Sequence, residues 1–408
     1  MLRGNVIVGQ SGGPTAVINS SLVGVFKAAK DAKCEKIYGM RNGVEGLLDE
    51  RYVDLYDQIK DDLDIELLKR TPASFLGSCR YKLPKAGVDE TVYQKLFGIL
   101  NDLNIKHFFY IGGNDSMDTI QKLSAYAKKI NSDISFVGVP KTIDNDLAAT
   151  DHTPGYGSAA KFIASAIKEI VCDSVIYPME SVTIVEIMGR NAGWLTAAAA
   201  LSSGEDCAGP DLIYLPESEF DHEDFLNRIV ELKKKKPSLV VAVSEGIKTK
   251  TGEYVCESNI ENAAEDSFGH KILGGTADAL ASYITEKLGI KARGMAFSTL
   301  QRCAAHMVSR RDITEAFMAG SEAVKASLRG ESGVMVVFVR TANEPYGIMT
   351  ETRDINEIAN LERTVPQEWI IENGTNVSKE FVAYARPLII GELEPFMVDG
   401  LPRHLYLR

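Results

Sequence analysis

The chain has 408 residues, 45% of them hydrophobic and 25% charged, which is ordinary globular composition and excludes disordered, collagen-like and disulfide-scaffold classes. At roughly 150 residues per domain, this length predicts about two or three domains. A formal charge of −11 argues against nucleic-acid and anionic-membrane partners, yet a few convergent Arg and Lys can still hold an anionic small molecule.

The longest apolar runs are strand-sized, so no membrane span is expected. The N-terminal MLRGNVIVGQSGG lacks the long apolar segment of a secretory signal. Cys34, Cys79, Cys172, Cys207, Cys256 and Cys303 form no CxxC pair, and the six His show no HxxxH spacing. That pattern predicts no zinc site, no disulfide framework and a reducing, cytoplasmic setting.

In chain order, short apolar strands end in Gly or polar residues and lead into amphipathic helices. Asn5 to Val8 runs into QSGGPT, after which Ile18, Leu22, Val25, Phe26 and Ala29 share a helical face. His107 to Ile111 runs into GGNDS, followed by Met117, Ile120, Leu123 and Ala127 at helical spacing. Phe136 to Val139 leads into PKTIDND, and a helix carrying Phe162, Ile163, Ala166, Ile167 and Ile170 follows GYGS. Val182 to Ile187 leads into MGRNAGW and an Ala-rich helix, and Leu239 to Val243 ends in SEG. LGGTADAL opens a helix with Ala277, Leu280, Ala281, Ile284 and Leu288. Such alternation predicts the α/β class, with mainly parallel sheets covered by helices and ligands beyond the carboxyl ends of the strands. The run Lys233 to Lys236 reads as cations closing a helix C-terminus. The segment after Val377 reads as an irregular C-terminal appendage.

Gly12-Gly13 and Gly112-Gly113 follow strands, where bare backbone and helix N-termini can hold a phosphate, or simply close a turn. Neither fits GxxxxGK[ST] or GxGxxG. In PKTIDND, Asp144 and Asp146 share a loop with Lys141 and Thr142, which suits proton abstraction beside an anion; the alternative is an Asx-rich turn. Arg190 sits where a helix is about to start, a poor place for a cation unless it faces a phosphate. Arg80, Arg293 and Arg302 are further candidate phosphate ligands.

Taken together and in order, QSGGPT, FLGSCR, GGNDSMDT, PKTIDND, MGRNAGW, SEG, LGG and TLQR resemble the phosphofructokinase family over roughly residues 4 to 370. In ATP-using members the third motif normally reads GGDGS and the fourth PGTIDND. Asp115 and Lys141, at the differing positions, are similar to the pyrophosphate-dependent branch. A carboxylate at 115 would fill and negatively charge the space of a nucleotide α-phosphate, while Lys141 would offer pyrophosphate a cation. The alternative for Asp115 is a cap on a helix that starts at Ser116.

The resemblance implies reversible phosphoryl transfer from pyrophosphate to the 1-hydroxyl of fructose 6-phosphate, with Mg2+, as a step of glycolysis. It implies Asp144 as the base, with Lys141, Asp115 and Arg190 beside it, and Gly12, Gly13, Arg80 and Lys141 on pyrophosphate. On the sugar phosphate it implies Thr142, Ile143, Asp144, Met188, Gly189, Arg190, Glu245, Arg293, Thr299, Leu300, Gln301 and Arg302. It further implies a cytoplasmic homodimer or homotetramer of two similar α/β domains with the site in the cleft between them. Residues 1–155 plus about 302–345 would bind the donor, and 156–301 plus about 346–408 the sugar phosphate.

Three positions depart from the family pattern. Asn114 replaces the usual metal-contacting Asp, leaving it as the candidate metal residue with pyrophosphate oxygens and water as the main ligands. Ser181 replaces an Arg that in many members reaches a neighbour's sugar site, and Cys303-Ala304 replaces Gly-Gly after the QR motif. Rival readings are an ATP-dependent 6-phosphofructokinase, a pyrophosphate-dependent kinase of another ketose phosphate such as sedoheptulose 7-phosphate, and a non-catalytic regulatory subunit. Retention of Asp144, Arg190, Lys141 and Glu245 argues against the last.

Overall fold

Val6 and Val8 enter one hydrophobic core and Ile7 enters another, and all three are fully buried. A strand with apolar residues on both faces must be covered on both sides. The computed structural model, which describes residues 4–85, 87–176, 178–259 and 274–407, places this strand, Asn5–Gln10, inside a seven-stranded sheet. The order is 346–354, 334–343, 135–140, 105–112, 5–10, 37–40, 52–54. The five inner strands run parallel, and each edge strand is antiparallel to its neighbour.

Helices Ile18–Asp31 and Arg310–Leu328 cover one face. They cross closely because Gly24 and Gly320 lack side chains: a Cβ on Gly24 would lie 2.2 Å from Phe317 O, and one on Gly320 2.0 Å from Ser21 O. Helices Thr91–Asp102 and Asn114–Lys129 cover the other face, over Phe108 and Phe136. Removing each such side chain from water contributes roughly 1.5–3 kcal/mol.

A second, four-stranded sheet runs 291–296, 181–187, 238–244, 212–214, all parallel. Helix Tyr156–Ser174 and the short helical run 194–202 pack on one face, and helices His222–Lys233 and Thr276–Leu288 on the other. Lys233 lies in the last turn of its helix, as expected, and its Nζ reaches Pro237 O, past the helix end, at 2.5 Å. Leu273 of the LGG motif lies outside the described residues. Among the described residues, no helix is long and apolar enough to cross a membrane.

Two expectations need correction. The division near residue 345 falls inside a hairpin: strand Tyr346–Asp354 pairs antiparallel with Val334–Asn343 and stays in the first sheet. A two-residue connection keeps the strands adjacent, so the chain returns only after Asp354, where Val365 enters the second core. The segment after Val377 is also not a loose appendage. Phe381, Ala385 and Leu388 recur at helical spacing and join the core that contains Trp194. Leu405 packs into the first core, and its N–H donates to Thr71 Oγ1 at 2.9 Å.

Candidate active site

The loops that leave the carboxyl ends of strands 5–10, 105–112 and 135–140 in the first sheet, and of 181–187 and 238–244 in the second, meet around one cavity of about 340 Å3. The glycine turn is the first wall. Gly12 has φ +76°, and its N–H donates to Cys79 O at 3.2 Å. The Lys141 ammonium donates to Gly13 O at 2.6 Å. A Cβ on Gly12 would sit 3.3 Å from Lys141 Nζ, and one on Gly13 3.2 Å from Arg302 Nη1. The turn therefore lies directly against two cations that come from distant parts of the chain, and exposed Arg80 lines the same wall.

The helix after Gly113 begins at Asn114, so Asp115 lies in its first turn, where a carboxylate is favoured, and also lines the cavity. Asn114 also lines the cavity, and its amide is engaged by the neighbouring loop. Its Oδ1 accepts from Asn360 N at 2.6 Å and its Nδ2 donates to Leu361 O at 2.9 Å, so the amide satisfies a loop backbone.

Loop 140–146 carries the most concentrated chemistry. Lys141 is only 2% exposed. Burial pulls its pKa down to about 8, although the charges of Asp144 and Asp146 resist this, and Arg302 and Arg80 push the same way as burial. Thr142 Oγ1 accepts from Asp144 N at 3.1 Å, shaping the turn before Asp144. Asn145 adopts φ +55° and is fully buried, and the carboxylates on either side of it both reach the cavity. Burial raises the Asp144 pKa, while Lys141, Arg190 and Arg302 oppose the rise. Burial, then the charge of Asp144, pushes Asp146 up to about 7.

The second sheet supplies the facing wall with Met188, Gly189, Arg190 and Glu245, and Ile143 adds an apolar contact from the first. Gly189 N–H donates to Glu245 Oε1 at 3.3 Å, and Ser244 Oγ donates to Gly189 O. Burial raises the Glu245 carboxyl to about 7. Arg302 lines the cavity from the short helix Leu300–Cys303.

Four of the expected sugar-phosphate residues do not line it. Gln301 is buried and accepts from Met188 N at 3.3 Å, so it holds the Met188–Arg190 loop from behind. Thr299, which precedes that helix, and Leu300, its first residue, are exposed. Arg293 is exposed on the edge strand Lys291–Ala296, paired with Thr183. That register leaves it five residues, about 16 Å of strand, short of Met188.

Glu362 and Asn191 were not anticipated. Glu362 lines the cavity near Asp146, and both of its oxygens accept from Asn191 Nδ2 at 3.3 Å. Among the described residues, no three His, Cys, Asp or Glu side chains gather as a metal-binding group. Asp146 Oδ1, however, is buried without a hydrogen-bond partner, as suits a carboxylate that shares a cation with a bound polyanion. Arg80, Lys141, Arg190 and Arg302 can thus neutralise phosphate oxygens beside carboxylates able to take a proton.

Comparison with known proteins agrees with this geometry. A pyrophosphate–fructose 6-phosphate 1-phosphotransferase of Halomonas elongata is 38% identical over 407 residues, covering 99% of this chain and 96% of the relative. One of Rhodospirillum rubrum is 40% identical over 394 residues, covering 95% of each. The crystal structure of a pyrophosphate-dependent phosphofructokinase from Nitrosospira multiformis superposes with a TM-score of 0.88 at 36% identity, covering 99% of this chain and 96% of that one. The Phosphofructokinase family model matches residues 5–326, the stretch that carries every loop from the glycine turn to Arg302, and the chain belongs to that family.

Proposed function

We propose that the protein transfers a phosphoryl group from pyrophosphate to the 1-hydroxyl of fructose 6-phosphate, reversibly, giving fructose 1,6-bisphosphate and phosphate. The observation that carries this reading is the buried Lys141 ammonium hydrogen-bonded to the glycine turn in the same cavity as Asp115. The names of the two curated relatives and of the solved structure support it. In this reading the first sheet and its loops hold pyrophosphate through Gly12, Gly13, Arg80 and Lys141, and the second holds the sugar phosphate through Met188, Gly189, Arg190, Glu245 and Arg302. A cytoplasmic homo-oligomer, a dimer or tetramer, fits the six unbonded cysteines and the family.

The chemistry follows from positions. Asp144 takes the proton of the sugar 1-hydroxyl as that oxygen attacks the near phosphorus of pyrophosphate, and the bridging oxygen leaves with the released phosphate. Thr142 and Ile143 flank the base on the substrate side. Arg190 and Lys141 neutralise the equatorial and leaving oxygens, so the rate derives mainly from placement and charge. Magnesium fits this site as a partner of pyrophosphate oxygens and of Asp146, whose Oδ1 is otherwise unpartnered; once bound, it would neutralise phosphoryl charge. Sugar phosphorylation measured with pyrophosphate and with ATP side by side tests the proposal. Turnover with pyrophosphate is expected, and a preference for ATP would overturn the reading of the donor.

Two variants probe the walls separately. Arg302→Ala is expected to weaken fructose 6-phosphate binding by about 1.5–3 kcal/mol, for a lost charge-assisted contact. A KM change confined to pyrophosphate would instead assign Arg302 to the donor wall, since Arg302 lies close to the Gly13 turn. Gly12→Ala forces a Cβ into left-handed backbone, a strain of roughly 1–2 kcal/mol, and crowds Lys141 Nζ. Its pyrophosphate KM should rise while its fructose 6-phosphate KM holds. Equal rises in both would show that the turn does not belong to the donor alone.

A further inference from the structure

The family model ends at residue 326, yet the loop that carries Asp144 is gripped from behind by residues far beyond it. Tyr384, on helix Lys379–Ala385, uses its hydroxyl completely. It donates to Asp151 O at 2.6 Å and accepts from Asn145 Nδ2 at 2.9 Å and from Arg363 Nη2 at 2.9 Å. A phenol has one proton and two lone pairs, so no capacity remains. Arg363 strengthens the grip. Its backbone N–H donates to Asp146 O at 2.8 Å, and its Nη1 reaches the carbonyls of Thr150 and Asp151 at 2.5 Å each. The guanidinium lies over the Trp194 ring at 4.4 Å and the Tyr384 ring at 5.6 Å.

Asn145 is where this grip acts. It is the fully buried left-handed residue between the two carboxylates that reach the cavity. Its side chain spans two partners, accepting from Thr153 N at 3.1 Å through Oδ1 and donating to Tyr384 through Nδ2. A non-glycine residue keeps a positive φ only where its surroundings hold it there. We propose that Tyr384 is a positioning residue: its hydroxyl, tied to Arg363, locks Asn145 in that conformation and thereby aims Asp144 at the substrate hydroxyl. This rests on the reading of Asp144 as the base.

The test compares two phenol deletions in the full-length protein. Tyr384→Phe removes the grip on Asn145. Tyr346→Phe removes a hydroxyl that donates to Glu315 Oε1 at 2.9 Å in the adjoining buried polar network without touching Asn145. Steady-state kinetics are read together with hydrogen exchange at the Asp144 and Thr153 amides, both bonded within this loop region. Tyr384→Phe is expected to lower kcat about 10- to 50-fold with both KM values within threefold, and to speed exchange at those amides about tenfold or more. Tyr346→Phe should leave kcat within about twofold. If Tyr384→Phe keeps its kcat, changes only KM, or is matched by Tyr346→Phe in kcat and exchange, the proposal is overturned. Should Tyr384→Phe fail to fold, Arg363→Lys, which keeps the cation but loses the fork, must show the same kcat loss and faster exchange. If the unaltered protein transfers no phosphoryl group, the functional reading fails, and the exchange rates alone then decide the grip: unchanged rates in Tyr384→Phe would overturn it.

Discussion

Asp144→Asn is expected to lower turnover roughly 10²- to 10⁴-fold while the KM values for both substrates change little. The amide keeps the volume of the carboxylate, and the backbone bond from residue 144 to Thr142 Oγ1 does not involve the altered atoms. What disappears is the ability to accept the sugar proton. The pH profile should change in a defined direction. Burial raises the Asp144 carboxyl above the usual carboxylate range, so the basic form, and with it the rate, is lost as pH falls through that raised value. In the Asn variant the residual rate should no longer follow this acidic limb. Asp146 makes the comparison sharp, because it lines the same cavity and is pushed up to about 7. Asp146→Asn should retain the Asp144-dependent proton transfer and lose apparent magnesium affinity instead. Near-normal turnover in Asp144→Asn, with collapse in Asp146→Asn, would exchange the two roles.

The site was legible in the sequence where strand and loop are contiguous. Gly12, Asp115, Lys141, Asp144, Arg190 and Glu245 each follow an apolar strand within a few residues, and parallel topology brings all those strand ends to one cavity. Arg293 lies outside the cavity of this chain for a reason of register: it sits within a strand, well before its end, and only the pairing with Thr183 reveals this. Gln301, expected on the sugar by the resemblance, is turned away from the cavity, since on a short helix adjacent residues face apart, and it accepts from the Met188 amide. Glu362, Arg363 and Tyr384 carried no local signal at all. They reach Asn191, Asp146 and Asn145 across more than 170 residues, and no spacing rule operates over that distance. The same holds for the amide of Asn114, which bonds Asn360 N and Leu361 O. In the fold, the proline-bearing tail after Val377 hid its helix, since only Phe381, Ala385 and Leu388 mark the buried stripe.

Donor choice should divide between Asp115 and Lys141 in a way that single substitutions can separate. Asp115 is expected to work by occupancy and repulsion, its carboxylate standing in the first turn of helix Asn114–Lys129 on the wall of the cavity. Asp115→Gly should therefore admit measurable ATP-dependent activity while activity with pyrophosphate drops. Lys141 is expected to work by attraction, its ammonium being anchored on Gly13 O in the same cavity. Lys141→Gly should remove most pyrophosphate activity, since a lost transition-state cation costs on the order of 3 kcal/mol, and should gain little with ATP because the carboxylate at 115 still blocks. The double variant should favour ATP more than either single one, because two neighbouring groups acting on one ligand are not additive. A pH test is independent of the ATP measurements. In the free protein Lys141 titrates at about 8, so the KM for pyrophosphate should climb as pH rises through that value. In Lys141→Arg, which stays charged, that climb should be absent even if the shape mismatch lowers kcat. Steady-state kinetics with both donors on the unaltered protein, the two single glycine variants and the double variant decide the matter. If Asp115→Gly still rejects ATP, or if the unaltered protein already prefers it, the pair does not select the donor, and selection must lie elsewhere along the wall formed by the glycine turn and Arg80.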